Sequence, residues 1–176
     1  MKIAGSFLLL VWIFLAAPAQ ASDLTLFGGV QREGKITLRS AVQSGTNLTF
    51  NPRNFGVFGI RFSHGRVIGM EHTLAYTPNF VESRTKAVIY NSDLLIQAPL
   101  PVVKPYATAG LGSIFTSGNG PVDFGSKFAI NYGGGLKITP PGHVGARIDV
   151  RGYAVPSIQS QTLNILEVSL GVVFSF

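Results

Sequence analysis

The chain has no cysteine, so no disulfide framework supports the fold and no thiolate is available for metal binding or nucleophilic catalysis. Charge is also scarce: Asp, Glu, Lys and Arg make up 12% of the residues, against about 25% in an ordinary soluble domain. Long apolar runs are missing too. The only candidate, Phe7 to Ala17, is shorter than the ~20 residues a spanning helix needs, which excludes a helical membrane protein. The three histidines, His64, His72 and His143, are dispersed. No acidic loop has calcium-ligand spacing and no segment has the spacing of a phosphate loop, so neither a metal nor a nucleotide cofactor is implied.

Residues 1–21 combine one basic residue (Lys2), the apolar run, Pro18 and the small-residue triplet Ala19-Gln20-Ala21. That pattern predicts a secretory signal peptide cleaved before Ser22, leaving 22–176 as one exported domain. No cysteine follows the cleavage site, so a lipoprotein is not expected. Glycine (21 residues) and phenylalanine (13) are plentiful. The last fifteen residues carry the clearest pattern. Val168, Leu170, Val172, Phe174 and Phe176 alternate with Glu167, Ser169, Gly171 and Ser175, the period of a strand whose two faces meet different media.

The same alternation predicts eight strands, at 24–31, 55–63, 67–77, 87–97, 103–115, 127–138, 144–153 and 162–176. Segments 32–54, 78–86, 116–126 and 154–161 make the longer loops, and 64–66, 98–101 and 139–143 make tight turns. An even strand count with short connections on one side and long ones on the other is the plan of an antiparallel up-and-down transmembrane β-barrel, short turns in the periplasm and long loops outside. A soluble barrel of the same size would point its apolar residues inward. Here Val144, Ala146, Ile148 and Val150 alternate with Gly145, Arg147, Asp149 and Arg151. A charge turned toward lipid near the midplane costs several kcal/mol, so the charged faces are interior and the apolar faces meet lipid.

The inward parity collects Arg61, Lys137, Arg147 and Arg151 against Glu71, Asp93, Asp149 and Glu167. An eight-stranded barrel is filled by side chains, and desolvated charges persist only when paired and hydrogen-bonded. These eight residues are therefore expected to form an interior ionic network with Asn91, Gln97, Tyr106, Thr108 and Asn131, with inward glycines making room for the long side chains. The remaining charges are predominantly basic and fall on rims and loops, which suits lipopolysaccharide phosphates. Compartment and fold argue against nucleic acid as the partner of this basic chain. Phe55, Tyr76, Phe80, Tyr90, Phe115, Phe128, Tyr153 and Phe176 lie near strand ends, as girdle aromatics do.

The segments Val103-Lys104-Pro105-Tyr106-Ala107-Thr108-Ala109-Gly110-Leu111-Gly112, Tyr132-Gly133-Gly134-Gly135-Leu136-Lys137 and Gly145-Ala146-Arg147-Ile148-Asp149-Val150-Arg151 resemble those of the small outer-membrane β-barrel superfamily. The chain is similar in pattern to the transmembrane domain of outer-membrane protein A. The resemblance implies residence in the outer membrane of a Gram-negative-type bacterium. It also implies a C-terminal signal, at Phe174 and Phe176, read by the barrel-assembly machinery. No peptidoglycan-binding domain follows the barrel, so a cell-wall tether is not implied. The pattern is similar as well to the lipid A 3-O-deacylases, whose penultimate strand carries His-x-Ser-Asn. The matching segment here reads Val150-Arg151-Gly152-Tyr153, with neither catalytic residue. The reading that follows is a monomeric, non-enzymatic barrel without cofactor, serving envelope integrity or surface interaction through its loops. A narrow small-solute channel is the alternative, and a lipid A-modifying enzyme is disfavoured.

Overall fold

The computed structural model describes residues 22–34, 36–39, 47–50, 52–80, 85–118, 125–158 and 161–176. The predicted signal peptide and the loop charges Lys35, Glu82, Arg84 and Asp123 lie outside them. The strands are β1 (Ser22–Glu33), β2 (Ile36–Arg39), β3 (Asn47–Phe50), β4 (Asn54–His64), β5 (Ile68–Thr77), β6 (Thr85–Gln97), β7 (Val103–Gly118), β8 (Ser126–Ile138), β9 (Val144–Ile158) and β10 (Gln161–Ser175). All except β2 and β3 close into one antiparallel barrel, in which β1 is bonded to β4 on one side and to β10 on the other. Closure removes the unpaired sheet edge that hydrocarbon would not tolerate.

Burial alternates along the wall as the sequence period requires. In β6 the buried positions are Thr85, Ala87, Ile89, Asn91, Asp93, Leu95 and Gln97, while Lys86, Val88, Leu94 and Ile96 are exposed. Outside, Leu26, Phe58, Leu74, Leu94, Leu111, Ile148, Val168 and Leu170 are all exposed. A continuous apolar belt of this kind is incompatible with water as the surrounding medium and fits lipid.

The tight connections lie at one end of the barrel. Gly65, between β4 and β5, has φ +104°, and a Cβ there would stand 2.5 Å from both the Gly69 Cα and the Ile68 carbonyl oxygen. Only glycine fits such a left-handed position against backbone. At the opposite end, the expected loop 154–161 is largely absorbed into strand. The pairing of β9 with β10 continues up to Ile158 opposite Gln161, with a register shift between Gln161 and Leu163. Inward Val155 carries the alternation past the expected end of strand 144–153 and, like Leu163 of β10, is buried. The expected loop 32–54 contains a separate hairpin, with Ile36 opposite Phe50 and Arg39 opposite Asn47.

Candidate functional site

Strand β9 places Arg147, Asp149 and Arg151 on one inward row, two residues apart, and the opposite wall supplies their partners. Arg147 donates to Glu71 from Nη1 at 2.5 Å and from Nη2 at 3.1 Å. Its Nε donates to the Tyr106 hydroxyl at 2.8 Å, and its guanidinium lies 4.4 Å from the Tyr106 ring centroid. Arg151 bonds Glu71 as well, and reaches Asp149 at 3.1 Å and Asp93 at 3.2 Å. From β4, Arg61 donates to Asp149 at 3.0 Å, to Glu167 at 2.5 Å and to the Ser169 hydroxyl at 3.2 Å, with its guanidinium 3.5 Å from the Phe27 ring centroid.

Neutral groups occupy the remaining lone pairs. Tyr106 donates its hydroxyl proton to Asp149. Glu167 accepts from Gln31 at 2.7 Å and from Tyr153 at 3.0 Å, and Asn131 donates to both oxygens of Asp93, at 3.1 and 2.9 Å. All three arginines and all four carboxylates of this cluster are buried. That degree of pairing is what allows seven ionised groups to be held out of water.

Room for them comes from glycine. A Cβ at Gly135 would lie 2.6 Å from the Tyr106 hydroxyl and 1.9 Å from the Ile148 carbonyl oxygen; one at Gly133 would lie 2.9 Å from the Arg151 Cγ, and one at Gly110 2.4 Å from Asp93 Oδ1. The glycine-rich run of β8 is therefore where the opposing arginine and tyrosine stems cross.

The structure departs from the sequence expectation in four respects. Lys137 stands apart from the arginine cluster and pairs with Asp23 at 2.6 Å, assisted by Gln97 at 3.3 Å. Asp23 is one of the remaining charges expected on rims and loops, and its inward parity at the start of β1 is the signal that marks it as interior. The central cluster thus holds three guanidinium groups against four carboxylates rather than a balanced set. Asn91 and Thr108 are interior and buried, yet their side chains make no hydrogen bond among the described residues. Finally, the extracellular part of the lumen carries an apolar cluster of Phe55, Val57, Phe80, Ile89, Ile114, Val155, Leu163 and Ile165, with Glu33, Thr77 and Thr85 buried beside it. Phe55 and Phe80, expected in the girdle, pack edge to face within it at 5.7 Å. Gln31, Ser169 and Phe27 also join the interior chemistry, legible only from parity, since none carries charge.

The histidines lie elsewhere. His72 sits on the outer face and shares a hydrogen bond with the Tyr90 hydroxyl at 3.2 Å. His143, in the turn before β9, contacts the Ser175 carbonyl oxygen at 3.1 Å. The C-terminal aromatics differ in setting: Phe174 is in register with Leu24 and Val144. Phe176 is 70% exposed and bonded through its backbone to Ser22, at 3.0 and 3.2 Å. A cavity of about 880 Å³ opens at this end, lined by Asp23, Arg66, Gln97 and Lys104 among others. It stops below the arginine cluster, whose members belong to none of its walls.

Residues 7–176 match the family described as "Outer membrane protein beta-barrel domain". No curated protein matches the sequence. Among solved structures, the N-terminal β-barrel domain of Pseudomonas aeruginosa OprF is 14% identical, covering 89% of this chain and 98% of its own, with a TM-score of 0.63. Neisserial surface protein A is 13% identical over 89% and 97% of the two chains, with a TM-score of 0.65. The outer-membrane enzyme PagL is 16% identical over 86% and 98%, with a TM-score of 0.46. At these identities the likeness shows the fold, and the last of the three carries no argument about activity.

Proposed function

The chain belongs to the outer membrane protein beta-barrel domain family, and from that premise we propose that it is a non-enzymatic, monomeric wall protein serving envelope integrity or surface interaction through its extracellular loops. In this reading residues 1–21 are a signal peptide removed on export, and Phe174 and Phe176 are read by the barrel-assembly machinery. The observation that carries it is the enclosed interior. The paired charges of Arg61, Arg147 and Arg151 fill the middle of the lumen, and the apolar cluster around Phe55 and Phe80 packs the extracellular part together with buried Glu33, Thr77 and Thr85. Carboxylates held by guanidinium, hydroxyl and amide donors in a buried cluster are poorly placed to act on a substrate, and the apolar cluster above them opposes ion passage. Function then resides on the outside, on loops held by a rigid wall.

The reading is tested by lipid A mass spectra from cells with and without the overexpressed protein, together with planar-bilayer recordings of the purified barrel. Unchanged spectra and protein-free conductance are expected. Gain or loss of an acyl chain would establish an enzyme instead, and unitary currents a channel.

A further inference from the structure

On the outer wall, where β8, β9, β10 and β1 run side by side, the apolar surface is indented. The floor is Gly152, which has no side chain. The Tyr132 ring leans over it, so closely that a Cβ at Gly152 would lie 2.6–2.8 Å from the ring atoms. Val150 and Leu166 form the other sides, and Tyr132, Val150 and Leu166 are all exposed. The resulting groove encloses about 460 Å³, within the ~300–1,000 Å³ of small-ligand sites. At its extracellular lip stand Arg32 and Asn164, with Glu33, whose side chain has the inward parity and is buried, next to Arg32.

Arg32, like Lys86 at the extracellular end of β6, is a charge on the outward face. It shares the outward parity of Leu26 and Val30, is exposed, and sits in register with Leu166. A guanidinium on the lipid face costs ~2–4 kcal/mol at the bilayer midplane and little near the interface. Its position one residue from the extracellular end of β1 places it at the interfacial level of the outer leaflet. An anionic headgroup is what such a cation meets there. Below it the groove offers apolar walls of the kind an acyl chain fills, and beside it Asn164 offers an amide suited to sugar hydroxyls.

We propose that this groove is a docking site for one molecule of lipid A, the phosphorylated, acylated saccharide of the outer leaflet. Arg32 binds a phosphate through paired charge-assisted hydrogen bonds, Asn164 contacts the sugar, and an acyl chain lies beside the Tyr132 ring against Val150 and Leu166. The proposal rests on the outer-membrane reading above and adds a fixed lipid and its position to it.

Native mass spectrometry of the purified barrel in detergent, titrated with lipid A, dephosphorylated lipid A or phosphatidylglycerol, tests the site. Folding is checked for each variant by the mobility shift between unheated and boiled samples. Wild type is expected to retain one lipid A. Arg32→Gln should weaken that binding about tenfold to a hundredfold, Arg32→Lys should keep most of it, and removing the phosphates from the lipid should act like Arg32→Gln. Gly152→Leu, which displaces the Tyr132 ring that covers Gly152 and leaves Arg32 in place, should weaken binding independently. Equal retention by wild type and Arg32→Gln, or equal retention of phosphatidylglycerol and lipid A, would overturn the site while leaving the barrel intact. A wild-type protein that shows no mobility shift would instead overturn the outer-membrane reading on which the site depends.

Discussion

Arg147 bonds Glu71 twice and packs against Tyr106, so truncating it leaves Glu71 only Arg151 and leaves two guanidinium groups against four carboxylates in a medium that solvates them poorly. Breaking one side of a buried ion pair costs ~3–5 kcal/mol. Arg147→Ala should lower the urea unfolding stability of a barrel of residues 22–176 in phospholipid vesicles by about that amount, followed by circular dichroism because those residues include no tryptophan. A midpoint equal to wild type would mean that the cluster contributes little. Replacing Glu71 and Arg147 together by apolar residues should cost less than the sum of the two single changes, because no orphaned charge remains. Glycines give a second contrast. Gly135→Ala drives a Cβ into the Ile148 carbonyl and the Tyr106 hydroxyl, whereas a Cβ at Gly56 meets nothing within 4 Å. The first change should destabilise by ~1–3 kcal/mol, and the second should be neutral or stabilising by ~0.5 kcal/mol. Equal effects in the same unfolding assay would remove the crossing-point role assigned to β8.

At the scale of elements, the β2–β3 hairpin forms its own two-stranded sheet and shares no ladder with the barrel. Replacing residues 36–50 by a short Gly-Ser linker should therefore leave the mobility shift and unfolding midpoint of the barrel unchanged, since loop closure depends only weakly on loop length. A lost mobility shift would show that the hairpin supports the wall. The barrel strands were legible because one face meets lipid and the other meets charge, and that contrast writes a period of two into β4, β8 and β9. The signal faded where the contrast ends. Past Gly59 toward Asn54, or past Tyr153 toward Ile158, inward and outward residues are both apolar, so Phe55 reads like a girdle aromatic and Val155 like a loop residue. Asp23 was misassigned for a related reason: at a strand's first turns, parity alone separates an interior carboxylate from a rim one. The pairing of particular charges was not legible at all, because it depends on which strands face each other across the lumen.

For the whole molecule, the layered interior makes a definite electrical prediction. Arg147→Ala should remain non-conducting in planar bilayers, because the apolar cluster around Phe80 still closes the extracellular part; channel openings in this variant would place the seal in the ion pairs. At the C terminus, Phe176→Ala should leave in vitro stability near wild type, since the contacts to Ser22 use backbone atoms, but should reduce the amount assembled in cell envelopes. Equal envelope levels would remove Phe176 from the assembly signal. The ion pairs also have a temporal meaning. Arg61 of β4 finds its carboxylates on β9 and β10, and Arg147 and Arg151 of β9 find theirs on β5 and β6. Within β9 Asp149 already pairs with Arg147 and Arg151, but no hairpin formed by β9 supplies Glu71 or Asp93, and a one-residue slip of β1 against β10 would turn the inward residues of one of them toward hydrocarbon. A half-zipped wall is thus penalised until its seam shuts in the right register, which makes insertion cooperative and gives the finished barrel a high barrier to reopening.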